Sequence, residues 1–263
     1  MNKIKTVVYK EWAEVFRNRM VLFSIIFLPL ILTALPLIIL GVMGNEVAMD
    51  SASSELPSQF NALCPPSLQG GECMQVYLVS QFMILFMILP LAIPSSIGSY
   101  SIVGEKTNRS LEPLLATPIT TVELLIAKSL AALIPTILAT FAAFAIFIIG
   151  AWFMIPNKDL FYAVVDARWL LAVLVVGPLM ALLSVNFTIM VSSRATDPRA
   201  AEQISALIIL PLLLVFFGQI SGLFIINRQF VVLTAVILVL VDCLMVYAAV
   251  RLFQRETILT RWK

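Results

Sequence analysis

Six stretches of this chain carry almost no charge: residues 20–45, 73–104, 129–157, 169–193, 203–227 and 229–250, the last interrupted once by Asp242. Each exceeds the roughly 20 residues that cross a hydrocarbon layer about 30 Å thick. Lipid offers no partner for open backbone groups, so each must be a helix. A transmembrane barrel is excluded, because the runs do not alternate polar and apolar residues. Composition agrees: 61% of the 263 residues are hydrophobic and 12% charged, where a soluble domain carries about 25%. The expected fold class is an all-α polytopic membrane protein of six spans in a single transmembrane domain.

The basic residues set the orientation. With the N-terminus inside, only Lys158, Arg168 and Arg228 fall outside, and the other Lys and Arg collect on the inner face. Both termini are then cytoplasmic. The first apolar run is too long for a signal core and lacks a small-residue cleavage site, so it is expected to stay as a span. The spans are expected at 20–43, 76–103, 122–155, 169–192, 203–226 and 230–250. Outer loops are expected at 46–72 and 156–168, inner loops at 104–121 and 193–202, and a cytoplasmic tail at 251–263. Before the first span, "KIKTVVYKEWAEVFR" (3–17) places Ile4, Val7, Val8, Trp12, Val15 and Phe16 at helical spacing with charges between. This predicts an amphipathic elbow helix lying in the inner interface with Trp12 at headgroup depth. It is either a basic anchor or an elbow that also touches a cytoplasmic partner.

The first outer loop holds Cys64 and Cys73 around "PPSLQGGE". On the oxidising side of a membrane this spacing suits a disulfide, with two free thiols as the alternative. No histidine occurs in the chain, and no metal site is expected. Cys243, in the last span, reads as a packing residue. Every span but the last contains proline, which frees a carbonyl and bends a helix. Gly218 and Gly222, in "GQISG", make a small-xxx-small face in the fifth span, suited to a contact within the chain or between two copies.

The most informative inner segment is "EKTNRSLEPLLATPITTVELL", from position 105. Ser110 suits an N-cap, with Glu112 in the first turn favoured by the helix dipole. Pro113 lies where a missing N–H costs least. Leu111, Leu114 and Leu115 share one face, and Thr117-Pro118 ends the helix. Thr120 to Glu123 then matches a capping box that starts the third span. Two turns of helix are not stable alone, so this one must dock on something. In the other inner loop, "SSRATDPRAAEQ", Asp197-Pro198 reads as an N-cap with proline at the first helical position. "GSYSIVGEKT" (98–107) ends like a phosphate-binding loop, but Glu105 stands where glycine must precede the lysine, and no strand leads into it. ATP is not expected on this chain by that route.

The stretch "GEKTNRSLEPLLATPITTVELLIAK" resembles the loop between spans two and three of type-2 ABC exporter permeases. The matching positions are Glu105, Lys106, Ser110, Leu111, Glu112, Leu114, Leu115, Thr117, Pro118, Glu123 and Lys128. The second inner loop, the tail "FQRETILTRWK", the elbow helix and the span count are also similar to that family. Its transmembrane domain is of the type V-like class, and the resemblance extends to the NatB-like sodium and drug-export branch. It implies a permease subunit in a prokaryotic cell (inner) membrane, paired with a second permease subunit as a homodimer. It also implies two copies of a separate ABC ATPase, which would carry ATP and Mg; this chain would bind no cofactor and would not itself be an enzyme. The short helix would be the coupling helix: Leu111, Leu114 and Leu115 fill a groove of the ATPase, and Glu105, Arg109 and Glu112 touch its rim. Glu123 caps the span that must move, and Arg194, Asp197 and Arg199 form a lesser contact.

Inside the membrane, Asp242 is the one acid that interrupts an apolar run, about 18 Å from the outer end of its span at about 1.5 Å per residue. A charge there is a cation ligand or a partnered group that pins two helices. Its polar candidates on neighbouring spans are Gln81, Asn186 and Gln219. The wide apolar interior suits lipid-like or drug-like cargo and equally ordinary helix packing. An intramembrane protease would need a histidine or a lysine base within a span, and Lys128 stands at an edge. A passive channel or a membrane scaffold without an ATPase is the remaining alternative. Membrane lipid is an expected partner and nucleic acid is not, since the basic residues follow the membrane edge.

Overall fold

The computed structural model describes residues 2–17, 19–43, 64, 68, 71–107, 119–223 and 226–252. Among them there is no strand. The elements are α1 (Asn2–Arg17), α2 (Arg19–Met43), α3 (Gly71–Phe86), α4 (Leu89–Thr107), α5 (Thr121–Met154), α6 (Lys158–Val164) and α7 (Ala167–Leu171). A π-helical turn (Ala172–Val176), α8 (Gly177–Arg194), α9 (Pro198–Ala206), a 3₁₀ turn (Leu207–Ile209), α10 (Leu210–Ile220) and α11 (Arg228–Leu252) follow. Six helical stretches are long and apolar enough to cross a membrane: Val21–Val42, Gly71–Ser99, Val122–Met154, Lys158–Arg194, Pro198–Ile220 and Arg228–Arg251. The chain is a multi-pass membrane protein.

Proline accompanies two of the breaks within these stretches. In the second, a turn at Met87 and Ile88 separates α3 from α4, just before Pro90. There the amides of Met87 and Ile88 bond three residues back, to the Ile84 and Leu85 carbonyls. Pro90 has no N–H to continue the α pattern, so the turn tightens. In the fourth, the π turn directly precedes Gly177-Pro178, and the Gly177 amide bonds back to the Ala172 carbonyl. The stretch 156–168, expected as an outer loop, carries the short helix α6 and the start of α7. Asn157 caps α6 by accepting from the Asp159 amide at 3.1 Å, and its own amide donates to Glu72 Oε1 at 2.8 Å, fastening α6 to the start of α3.

The second span is the most enclosed, and it runs parallel to the fourth. Ser184 Oγ donates to the Leu91 carbonyl at 2.7 Å, and Ser192 Oγ donates to the Ser99 carbonyl at 2.9 Å. Ser192 Oγ also accepts from the Val103 amide at 3.1 Å. The repeated separation of 93 residues fixes one register along the pair. Between these bonds Gly98 lies against Thr188: a Cβ built on it would stand 2.9 Å from Thr188 Cγ2. Lipid gives helices no hydrophobic reason to associate, so close approach at small residues and shared hydrogen bonds hold such a pair. The first, third, fifth and sixth spans surround this centre with exposed Phe23, Leu138, Leu214 and Leu244.

Two expectations need correction. Gly218 and Gly222 do not share a helical face: α10 ends at Ile220, and Gly222 has φ 71°. The Gly222 amide bonds to the Gln219 carbonyl and the Leu223 amide to the Gly218 carbonyl at 3.0 Å, so Gly222 terminates the helix in the left-handed region that glycine enters without strain. Gly218 alone stays in the helix and is buried. Cys243, expected to pack, is exposed on the outer surface of α11.

Candidate functional site

The end of the bundle that carries α1 also receives the ends of α4 and α8 and the starts of α5 and α9. Residues 108–118 lie outside the described residues. Arg109, Leu111, Glu112, Leu114 and Leu115 therefore have no described position, and Glu105 is placed only as a residue of α4. What the structure describes is the frame on either side of that segment.

On its C-terminal side the capping box is complete. Glu123 N donates to Thr120 Oγ1 at 3.2 Å, while Glu123 Oε2 accepts from the Thr120 amide at 2.8 Å and the Thr120 hydroxyl at 3.0 Å. These bonds satisfy amides that a helix start otherwise leaves open. The third span thus begins sharply at Thr121. At the second inner turn, Asp197 caps α9 through the Arg199 amide at 3.4 Å, with Pro198 at the first helical position. Arg194, Asp197 and Arg199 are all exposed at this turn.

The elbow helix is anchored to this same start of α5. Val7, Glu11 and Val15 are buried at four-residue spacing, a single stripe of α1. Val7, Ile119, Leu124 and Ala127 form a small apolar cluster, with Ile4 and Val8 packed against it. Beside it, Lys128 Nζ lies 2.7 Å from Glu11 Oε1, with side chains 1% and 7% exposed. Removing one partner of a buried pair leaves a desolvated charge and costs about 3–5 kcal/mol. One turn further along α5, Trp12 Nε1 donates to the Ala131 carbonyl at 3.0 Å. That carbonyl is available for a definite reason. Its usual donor would be the amide four residues on, and that residue is Pro135. The Trp12 indole N–H is thus satisfied by the protein itself.

Lys128 belongs to the motif of the inner segment, which carries no sign of its partner. The signal lies in α1: Glu11 falls on the apolar stripe of α1, and a charge in that position requires a partner across the interface.

Inside the membrane the structure separates the polar candidates. Asp242 is buried, and neither carboxylate oxygen has a hydrogen-bond partner among the described residues. It lies about 21 Å from the start of α11 at about 1.5 Å per residue. Helix α11 packs on α8, which carries Asn186 with a buried, unbonded Nδ2. Gln219 lies elsewhere, in the last turn of α10. Together with Cys64, Cys73, Tyr77 and Arg168 it lines a cavity of about 20 Å³ at the opposite end of the bundle, room for about one water. There Cys64 is bonded to Cys73, with Cα atoms 5.8 Å apart. Arg168 pairs with Asp166 and donates from Nη1 to the Ile226 carbonyl at 3.3 Å.

Six apolar spans, with an amphipathic helix fastened beneath the third and capped helix starts gathered at one end, define a polytopic α-helical membrane protein. The family description "ABC-2 family transporter protein" matches residues 5–250. The chain belongs to the ABC-2 transporter family, and is the membrane-spanning permease part of an ABC transporter rather than its ATPase. A comparison with curated proteins finds no match.

Proposed function

We propose that this chain is the permease subunit of an ATP-driven exporter of the NatB-like sodium and drug-export branch. Two copies form the pathway in a prokaryotic inner membrane, with both termini cytoplasmic. Two separate ATPase subunits, carrying ATP and Mg, dock on the segment between α4 and α5. Leu111, Leu114 and Leu115 fill the docking groove, with Glu105, Arg109 and Glu112 at its rim and Arg194, Asp197 and Arg199 at a lesser contact. The observation that supports this reading best is the mechanical isolation of the third span's start. A complete capping box begins it at Thr121, and α1 grips it by a buried ion pair. A push on the preceding segment thus meets a stiff, defined lever rather than a fraying helix end.

The test is co-purification of the chain with an ATPase subunit, followed by ATP hydrolysis. Leu114→Asp or Leu115→Asp leaves the chain in the membrane but removes stimulation of hydrolysis by the permease. Unchanged assembly and unchanged stimulation would overturn the docking assignment. Absence of any ATPase subunit from the wild-type preparation would favour a passive channel or scaffold.

A further inference from the structure

Two joints connect α1 to α5, and both fall before Pro135. The Glu11–Lys128 pair lies seven residues ahead of the proline, and the Trp12 bond to the Ala131 carbonyl uses the acceptor that the proline itself releases. We propose that α1 and residues 121–134 of α5 form one rigid body, hinged on the rest of the third span at Pro135, and that Glu11 and Lys128 are the positioning residues that hold it together. This deepens the ATPase-driven reading and rests on it: the body is what the docked ATPase displaces.

Three observations carry the assignment. The apolar cluster of Val7, Ile119, Leu124 and Ala127 packs α1 on the start of α5 apart from the main core, which the same two helices also join through Val15, Leu125 and Ala132. The ion pair is almost wholly removed from solvent, so parting α1 from α5 would strand two desolvated charges at once. The α5 ladder lacks one rung at Pro135, where bending costs least. The body is therefore stiff within itself and soft at one boundary. An elbow helix that served only as a membrane anchor would need neither the buried charge nor the indole bond.

The experiment uses the complex purified with its ATPase subunit in lipid nanodiscs. Cys243 is replaced by serine so that only introduced cysteines take a nitroxide label. One label pair, Ala13→Cys with Ile126→Cys, reports within the body at exposed sites. A second, Ile126→Cys with Phe153→Cys, spans the hinge. Distances are measured without nucleotide and after trapping with ATP and vanadate. Within the body the wild-type distance should stay the same on trapping, while across the hinge it should shift by several ångströms. In Glu11→Gln with Trp12→Phe, the within-body distance should broaden and shift on trapping. The charge swap Glu11→Lys with Lys128→Glu should restore the narrow distribution, which a mere loss of folding would not permit. A wild-type within-body distance that changes on trapping, an unchanged distance across the hinge, or a Glu11→Gln, Trp12→Phe variant indistinguishable from wild type would each overturn the proposal while leaving the ATPase-driven reading intact. A wild-type preparation lacking any ATPase subunit would remove that reading, and the proposal with it.

Discussion

Adding one methyl group at Gly98 should destabilise the centre of the bundle, and trimming the side chain opposite should relieve the closer of the two clashes. In Gly98→Ala the new Cβ would stand 2.9 Å from Thr188 Cγ2 and 3.2 Å from Thr188 Cβ. Favourable carbon contacts lie at about 3.5–4.0 Å, so both atoms overlap. Thr188 has little freedom to turn away, because β-branched side chains on helices keep few rotamers. The helices cannot easily part either, since the Ser184–Leu91 and Ser192–Ser99 bonds bracket the contact. Overpacking of this kind costs about 1–3 kcal/mol. Thr188→Ala alone should cost less. Thr188 Oγ1 is buried without a hydrogen-bond partner among the described residues, so its loss forfeits no bond. What remains is the packing of one methyl, about 0.8 kcal/mol. In the double variant the new methyl occupies the vacated space, giving a coupling energy on the order of 1–3 kcal/mol. The assay is thermal unfolding of all four proteins in one detergent at one scan rate. Gly98→Ala should melt several degrees low, at roughly 2–4 °C per kcal/mol, and the double variant should recover part of that loss, since the Cβ kept at position 188 still stands 3.2 Å from the new methyl. A Gly98→Ala protein melting with wild type, or a double variant melting as low as the sum of its singles, would refute the reasoning.

Two further outcomes follow from the site. Thr120→Ala removes the acceptor for the Glu123 amide, so amide exchange in the first turn of α5 should quicken by roughly a factor of five, the usual worth of an N-cap; unchanged exchange would mean that the cap contributes nothing. Asp242→Asn replaces a buried carboxyl group that no described group satisfies, so yield and melting temperature should hold or rise while any cation-dependent transport is lost. A fall in assembly with transport retained would instead assign Asp242 a structural role.

Features written in a few adjacent residues are legible in the sequence itself. The capping box at Thr120–Glu123, the Asp197-Pro198 helix start and the six apolar runs all depend on local pattern, and each has its counterpart in the fold. Helix boundaries near proline and glycine are less legible. "GQISG" satisfies a packing pattern as written, and only the end of α10 at Ile220 turns its second glycine into a terminator. Helix α6 is hidden because Lys158, Asp159 and Asn157 make its first turn look like a polar loop. The α1–α5 joint is least legible, because Glu11 and Lys128 are 117 residues apart and no local rule links them.

The length of α5 has one more consequence. From Lys128 to Trp152 the helix rises about 36 Å, somewhat more than the roughly 30 Å of hydrocarbon in a bilayer. Trp152 is exposed at the far end, and tryptophan favours the headgroup layer. With Trp152 at one water boundary, the Glu11–Lys128 pair falls at the other. The third span is thus a ruler with a mark at each end, and a thicker membrane must tilt it less or pull one mark below the surface. Acyl-chain length then acts directly on the ion pair that holds the elbow, so membrane thickness becomes a setting of the machine rather than only its container.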